Sequence, residues 1–206
     1  MSAFRRLSDK ATAEYKEKGS KFIASALAVF TEDDVKLALE ELRAEHHKAR
    51  HIAYAFRLHP EERVERANDD GEPHHSAGTP ILHVIQSEEL YQCLVAVVRY
   101  FGGTKLGKSG LVRAYRSAAE SAVELAKKEM HIPSALFHLY FGYDKLNEVQ
   151  TWLDRHGIKP QDVDMQKRIR FDVCLPKDNA ENLLDELCSD PRITFAIDSS
   201  EKTTAS

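Results

Sequence analysis

The feature that most constrains the fold is a nearly continuous apolar run, CLVAVVRYF, at residues 93–101. Such runs are typical of a β-strand that is covered on both faces. Glycines follow at positions 102, 103, 107 and 110. Beyond them, apolar residues recur at helical spacing, at Leu111, Tyr115, Ala118, Ala119, Ala122 and Ala126. The stretch from Leu90 to Ala119 therefore predicts a buried strand, a tight glycine-rich turn and a helix that packs by one face.

The same stretch carries positive charge with no acidic residue to balance it. Between Glu89 and Glu120 there is no Asp or Glu, whereas five basic residues lie there: Arg99, Lys105, Lys108, Arg113 and Arg116. The net charge of the whole chain is -4, which argues against a general nucleic-acid binder, whose basic face usually shows in the total. A local cluster at a helix N-terminus can still bind anions, because free backbone N–H groups point outward there.

The turn therefore predicts a phosphate or nucleic-acid site. Its expected binding residues are the five cations together with Gly102 and Gly103. Tyr100, Phe101 and Tyr115 would offer faces on which bases stack. The simpler alternative is a solvated cationic rim, in which the glycines only allow the chain to turn.

Residues 102–109, GGTKLGKS, also match the nucleotide-binding pattern GxxxxGK[ST]. In that alternative Lys108 contacts the outer phosphates and Ser109 holds Mg²⁺. A P-loop normally opens a parallel, doubly wound sheet, and the remaining sequence does not predict one. A nucleotide-binding or hydrolytic enzyme that uses this loop is one alternative.

A second polar cluster, NDDGEPHH, occupies residues 68–75. Its possible functional residues are Asp69, Asp70, Gly71 and Glu72, whose carboxylates could act as general acid and base in a hydrolase. The simpler interpretation is a turn, because N-D-D-G is a turn sequence. Neighbouring side chains diverge in an extended chain, so we expect His74 and His75 not to chelate a metal together. No catalytic residue, metal or cofactor is predicted, and residues 60–79 are expected to form one long loop.

The remaining pattern indicates an α+β chain. Ala11 to Phe30 predicts two strands joined through Gly19 and Ser20, and Thr31 predicts the N-cap of a helix that ends near His46 or His47. The segment from His51 to His59 predicts a further strand.

Pro133 cannot continue a helix interior, so we predict a domain boundary there, with domains at 1–132 and 133–206. Residues 134–198 read as strand, helix, strand, strand, helix, strand, which is the ferredoxin-like βαββαβ order. Asp144 and Asp178 are the predicted N-caps of its two helices.

The amino-acid composition also indicates the cellular compartment of the protein. No run approaches the roughly 18 apolar residues of a membrane span, so no membrane partner is expected. The three cysteines are odd in number and far apart in the chain, which favours reduced thiols over a disulfide framework. We expect a cytoplasmic protein.

Several segments together resemble one family. GSKFI at 19–23, RHIAYAF at 50–56, NDDGEP at 68–73, SAGTPIL at 76–82 and VVRYFGGTKLGKSGLVRAY at 97–115 are similar to the bacterial type of the IMPACT family. The resemblance implies an N-terminal βαβ domain like domain IV of elongation factor G, followed by a ferredoxin-like domain. It also implies a link to translation, binding of RNA or the ribosome, and no established catalytic activity.

Eukaryotic members restrain a starvation-activated kinase pathway through an additional N-terminal domain. This chain begins too close to its first strand to hold that domain, so we expect the kinase role not to apply. Two departures from the family pattern stand out: Ser109 replaces a usual glycine next to a lysine that the family does not fix, and His74-His75 replaces a small or glycine-containing stretch.

The leading hypothesis is a non-enzymatic, translation-associated regulatory protein that binds RNA or the ribosome through the basic glycine-rich turn. One alternative is an enzyme that uses the Gly102 to Ser109 loop or the Asp69/Asp70/Glu72 loop. Another is a protein-interaction module whose more acidic second domain binds a regulatory protein partner.

Overall fold

The structure is a computed structural model that describes residues 3–61 and 64–198. Helices are interspersed among groups of strands, and the described sheet pairs are antiparallel, so the predicted α+β class is confirmed. Phe4–His131 forms one compact unit, and a second begins at Ile132. The first unit contains β1 Phe4–Leu7, β2 Ala11–Glu17, β3 Ser20–Ala28, α1 Glu32–Glu45, β4 His51–Arg57, β5 Glu65–Asn68, α2 Gly78–Ser87, β6 Cys93–Tyr100, α3 Gly107–Leu125 and β7 Lys128–His131.

The main sheet of the first unit has β6 at its centre. Its order is β2-β3-β6-β4-β5, and every neighbouring pair is antiparallel. Val95 and Val97 pack in one cluster with residues of α2 and α3, whereas Leu94 and Val98 lie in clusters that contain residues of α1. The strand is therefore covered on both faces, as its apolar run predicts.

The predicted helix α1 and the predicted β2–β3 hairpin are also present. The Thr31 hydroxyl accepts a hydrogen bond from the Asp34 backbone N–H, and the Asp34 carboxylate accepts one from the Thr31 N–H. This capping box starts α1, whose C-cap is His46. Strands β2 and β3 form the predicted hairpin, but its two-residue turn is Lys18 and Gly19 rather than Gly19 and Ser20, because Ser20 already pairs with Glu17.

One segment of the first unit differs from the prediction, and the short strands β1 and β7 have no counterpart in it. Residues 60–79 do not form one loop, because β5 pairs with β4 at the sheet edge and α2 already begins at Gly78; within that stretch, Glu62 and Arg63 lie outside the described residues. Helix α3 ends at Leu125, and β7 pairs with β1. Strands β5 and β7 are short. Each forms its backbone hydrogen bonds with another segment of the chain, and the local sequence pattern does not show which segment that is.

The second unit follows the predicted element order. It contains β8 Ser134–Phe141, a 3₁₀ turn at Tyr143–Lys145, α4 Leu146–His156, β9 Asp162–Met165, β10 Ile169–Pro176, α5 Ala180–Leu187 and β11 Thr194–Ile197. Its sheet has the order β11-β8-β10-β9, and all pairs are antiparallel. One cluster around Leu139, Trp152 and Val173 forms its core.

The two predicted N-caps in this unit are wrong. Asp144 lies within the 3₁₀ turn and accepts a hydrogen bond from Arg192, with 2.9 Å between Nη1 and Oδ2. The residue before α5 is Asn179 rather than Asp178, and its side chain makes no capping hydrogen bond.

No helix among the described residues is long and apolar enough to cross a membrane. All three cysteines are free thiols.

Candidate functional site

The glycine-rich turn is fixed against the β2–β3 hairpin. A Cβ atom at Gly102 would lie 1.8 Å from the carbonyl carbon of Gly19, so the two backbones touch where no other residue fits. The Gly102 N–H donates to the Ser20 hydroxyl at 3.2 Å. This close approach gives Gly102 a structural role, and it also holds the turn in one place beside the hairpin.

Four of the five predicted cations are exposed on and after this turn: Lys105, Lys108, Arg113 and Arg116. Within the described ranges, no carboxylate lies within ion-pair distance of the first three. The Nε atom of Arg116 lies 2.8 Å from the Glu120 carboxylate one helical turn later. Because that pair is solvent-exposed, it holds the arginine only weakly.

The expectation that Arg99 is uncompensated is wrong. Its Nη1 atom lies 2.7 Å from Oε1 of Glu72, and only 9% and 4% of the two side chains are exposed. The Tyr115 hydroxyl donates to the same carboxylate oxygen at 2.8 Å. Glu72 lies outside the acid-free stretch, so charges counted within that stretch do not include it. Arg99 is consequently not placed to contact a phosphate.

Tyr115 is fully buried and cannot stack on a base. Burial raises the pKa of its phenol, and the adjacent Glu72 carboxylate raises it further, so the hydroxyl stays a neutral donor. Tyr100 is half-buried and its hydroxyl lies 3.0 Å from Nδ1 of His46. Phe101 is 58% exposed and is the predicted stacking residue that remains accessible.

Residues 68–75, which we call the acidic loop, are held in place by hydrogen bonds to their carboxylates. Asp69 caps α2, since its carboxylate accepts from the backbone N–H groups of His75, Ala77 and Gly78. Partial burial raises the pKa of Asp69, but these backbone hydrogen bonds outweigh it, so the pKa is lowered overall. A lowered pKa is unsuited to a general acid at neutral pH.

Asp70 and Gly71 have structural surroundings as well. The Asp70 carboxylate accepts from the Ile52 N–H at 2.6 Å and from Arg43 at 2.9 Å. Gly71 has a φ of +85° beside the His51 ring. Glu72 is paired with Arg99, so all three predicted carboxylates of the loop have structural hydrogen-bond partners.

His74 and His75 do not diverge. Their ring centroids lie 4.1 Å apart, and their ligand atoms and that of Asp69 all lie within 4.8 Å of one another. The assumption of an extended chain is wrong here, because His75 has a φ of +59°. Whether the two residues bind a metal together stays a separate question.

One cation was missed by the sequence reasoning. Lys18 is exposed in the hairpin turn directly before Gly19, and Gly19 touches Gly102. The signal was present in the KGSK turn, but only the tertiary contact brings it beside the glycine-rich turn. We define the basic surface as Lys18, Lys105, Lys108, Arg113 and Arg116.

The nucleotide-binding alternative receives no support from the sheet. Strand β6 pairs with β3 and β4, and both pairs are antiparallel, whereas a P-loop follows a strand of a parallel sheet. Lys108 lies in the first turn of α3 with its side chain exposed.

Comparison with known proteins finds relatives over most of the chain. The family profile described as the Impact N-terminal domain matches residues 18–123. The chain is 35% identical over 157 residues to an IMPACT family member of Thermus thermophilus, which covers 76% of this chain and 84% of the relative. It is 29% identical over 155 residues to the IMPACT family member YvyE of Bacillus subtilis, which covers 75% and 71%. A crystal structure described as that of a hypothetical protein superposes with a TM-score of 0.68 at 26% identity, covering 98% of this chain and 100% of that one.

Proposed function

This chain belongs to the IMPACT family, and from that premise we propose that it is a non-enzymatic, translation-associated regulatory protein of the cytoplasm that binds structured RNA or the ribosome through the basic surface. Residues 1–132 act as the binding domain, which resembles domain IV of elongation factor G. Residues 133–206 form a ferredoxin-like domain, and the antiparallel strand order β11-β8-β10-β9 supports that assignment.

The observation that carries the proposal is the concentration of exposed positive charge at one end of α3. Lys105 and Lys108 flank the start of this helix, whose first backbone N–H groups have no partner within the helix. Arg113 and Arg116 continue the charge along the exposed face, and Lys18 adds to it from the hairpin. Phosphate groups are the natural partners of such an arrangement, because the helix dipole and the cations act in the same direction.

Phe101 extends this surface with an exposed apolar ring beside the glycines. A single-stranded or bulged base could stack on it while the neighbouring phosphates contact the cations. Structured RNA offers both groups within one short segment, whereas a free nucleotide would use only part of the surface.

A salt series of ribosome and RNA co-sedimentation tests the proposal. Each lost phosphate contact should reduce the slope of log K against log salt by roughly 0.7–0.9. The double variant Lys105→Gln/Lys108→Gln should therefore bind more weakly and with a shallower salt dependence than the unaltered protein.

The matched control is Lys36→Gln/Lys48→Gln, which removes two exposed charges from α1 and the segment after it. This control should behave like the unaltered protein, because α1 covers the opposite face of the sheet from α3. Equal loss in both double variants, or no salt-sensitive binding by the unaltered protein, would refute the proposal.

Thermal unfolding with ATP or GTP and Mg²⁺ distinguishes the enzyme alternative. A nucleotide present at 100 times its Kd would add about 2.7 kcal/mol of stability. We expect no shift with either nucleotide.

A further inference from the structure

We propose that Asp69, His74 and His75 form a Zn²⁺ site in this chain. One ligand atom from each residue lies within 4.8 Å of the other two. Nothing in the proposed RNA-binding role requires a metal, so this inference is independent of it.

The spacing suits an ion placed between the side chains. Nδ1 of His74 and Oδ2 of Asp69 are 3.7 Å apart, which is too far for a hydrogen bond. Two ligand atoms at zinc distances, subtending a tetrahedral angle, are about 3.4 Å apart. Small side-chain rotations would therefore complete the geometry, and His74 is free to make them because its side chain is 87% exposed.

The other two ligands are already oriented by hydrogen bonds of the kind that supports metal sites. Nδ1 of His75 lies 2.9 Å from the Thr79 hydroxyl, which leaves Nε2 of the same ring for the metal. Oδ1 of Asp69 accepts from the N–H groups of Ala77 and Gly78, and Oδ2 accepts from the His75 N–H at 2.8 Å, so the carboxylate is fixed with Oδ2 toward the histidines. Oδ2 keeps a further lone pair for the metal. Such partners of the ligands normally fix their tautomer and orientation.

The donor set selects the class of metal. Two imidazoles and one carboxylate suit Zn²⁺, whereas Ca²⁺ and Mg²⁺ prefer a shell of oxygen atoms. Three protein ligands leave the fourth tetrahedral position open to water or to an anion. The site is at the surface, because both histidines are exposed, so an outside ligand can reach that position.

Metal binding would join Asp69, near the start of the loop at residues 68–75, to the two histidines at its end, just before α2. The same loop carries Glu72, which holds Arg99 and Tyr115. A ligand that binds only the folded chain raises the free energy of unfolding by RT ln(1 + [L]/Kd). Zn²⁺ should therefore raise the temperature of unfolding.

Isothermal titration of the full chain with Zn²⁺, in protein free of any polyhistidine tag, tests the site. The expected result is saturation at one equivalent, with affinity reduced more than about tenfold in His74→Ala and in His75→Ala. Co²⁺ titration should give the visible absorption of a four-coordinate ion in the unaltered protein and lose it in both variants.

His83→Ala is the matched control, since His83 is an exposed histidine on α2 outside the cluster. Its Zn²⁺ affinity should equal that of the unaltered protein. The two histidine ligands carry the test rather than Asp69, because Asp69 also caps α2 and its removal would disturb the fold. Absence of saturable binding, unchanged affinity in His74→Ala and His75→Ala, or equal loss in His83→Ala would each overturn the proposal.

Discussion

Removal of the Glu72 carboxylate should strongly destabilise the first unit. Glu72→Ala would leave the Arg99 guanidinium buried without its counter-charge and the Tyr115 hydroxyl without an acceptor. Breaking a buried ion pair by removing one partner costs about 3–5 kcal/mol. An unsatisfied buried hydroxyl costs about 1–3 kcal/mol. The two effects share one acceptor and do not add, so we expect a loss of about 3–5 kcal/mol in total.

Urea unfolding followed by far-ultraviolet circular dichroism measures this loss. Glu124→Ala is the matched control, because Glu124 is an exposed carboxylate on α3, and its free energy of unfolding should change by less than about 0.5 kcal/mol. Glu72→Gln keeps an acceptor for Tyr115 and should cost less than Glu72→Ala.

A double variant separates the ion pair from simple packing. Glu72→Leu/Arg99→Met replaces both charges by apolar side chains, so its cost should be well below the sum of the two single changes. A loss below about 1 kcal/mol for Glu72→Ala, or simple additivity in the double variant, would show that the pair is not buried as described.

Four further outcomes follow from the structure. Gly102→Ala should lower the temperature of unfolding sharply in a thermal melt, because the new Cβ would collide with the backbone of Gly19. Thr31→Ala should cost about 1 kcal/mol in urea unfolding through loss of the capping box of α1. Burial raises the pKa of Cys93 to about 12, so in the folded protein this thiol should react with a disulfide reagent far more slowly than the two partly exposed cysteines, and at a normal rate in denaturant. The folded-state pKa of Asp69 is below its unfolded value, so its carboxylate stabilises the fold above about pH 4, and this stabilisation is lost as the pH falls further. Asp69→Asn should therefore flatten the acid side of a curve of stability against pH. An unchanged acid side would contradict the capping role.

The candidate site was only partly predictable from sequence. Lys105, Lys108, Arg113 and Arg116 are exposed, as expected for a binding surface. Side chains on the exposed face of an amphipathic helix can be identified because the helix repeat alone decides which face is apolar.

Arg99 shows where that reasoning stops. It lies at the end of a buried strand, and its charge state and accessibility depend on Glu72, 27 residues earlier in the chain. A count of charges along the sequence treats it as one more free cation. The folded loop instead places a carboxylate against it and removes it from the surface.

The sequence by itself determined the elements that local physics controls. The apolar run of β6, the one-sided stripe of α3 and the Thr31 cap each follow from residues that are neighbours in the chain. Backbone periodicity and hydrogen bonding act over a few residues, so their signals can be read without knowledge of the fold.

Tertiary structure alone decided which distant groups meet. It paired β1 with β7, placed Lys18 next to the glycine-rich turn, and brought His74 and His75 together with Asp69. Such contacts depend on the path of the whole chain and on single residues with positive φ. The stretch from Leu90 to Ala119 therefore keeps its exposed lysines and arginines as a candidate surface, while its first arginine, Arg99, belongs to the core.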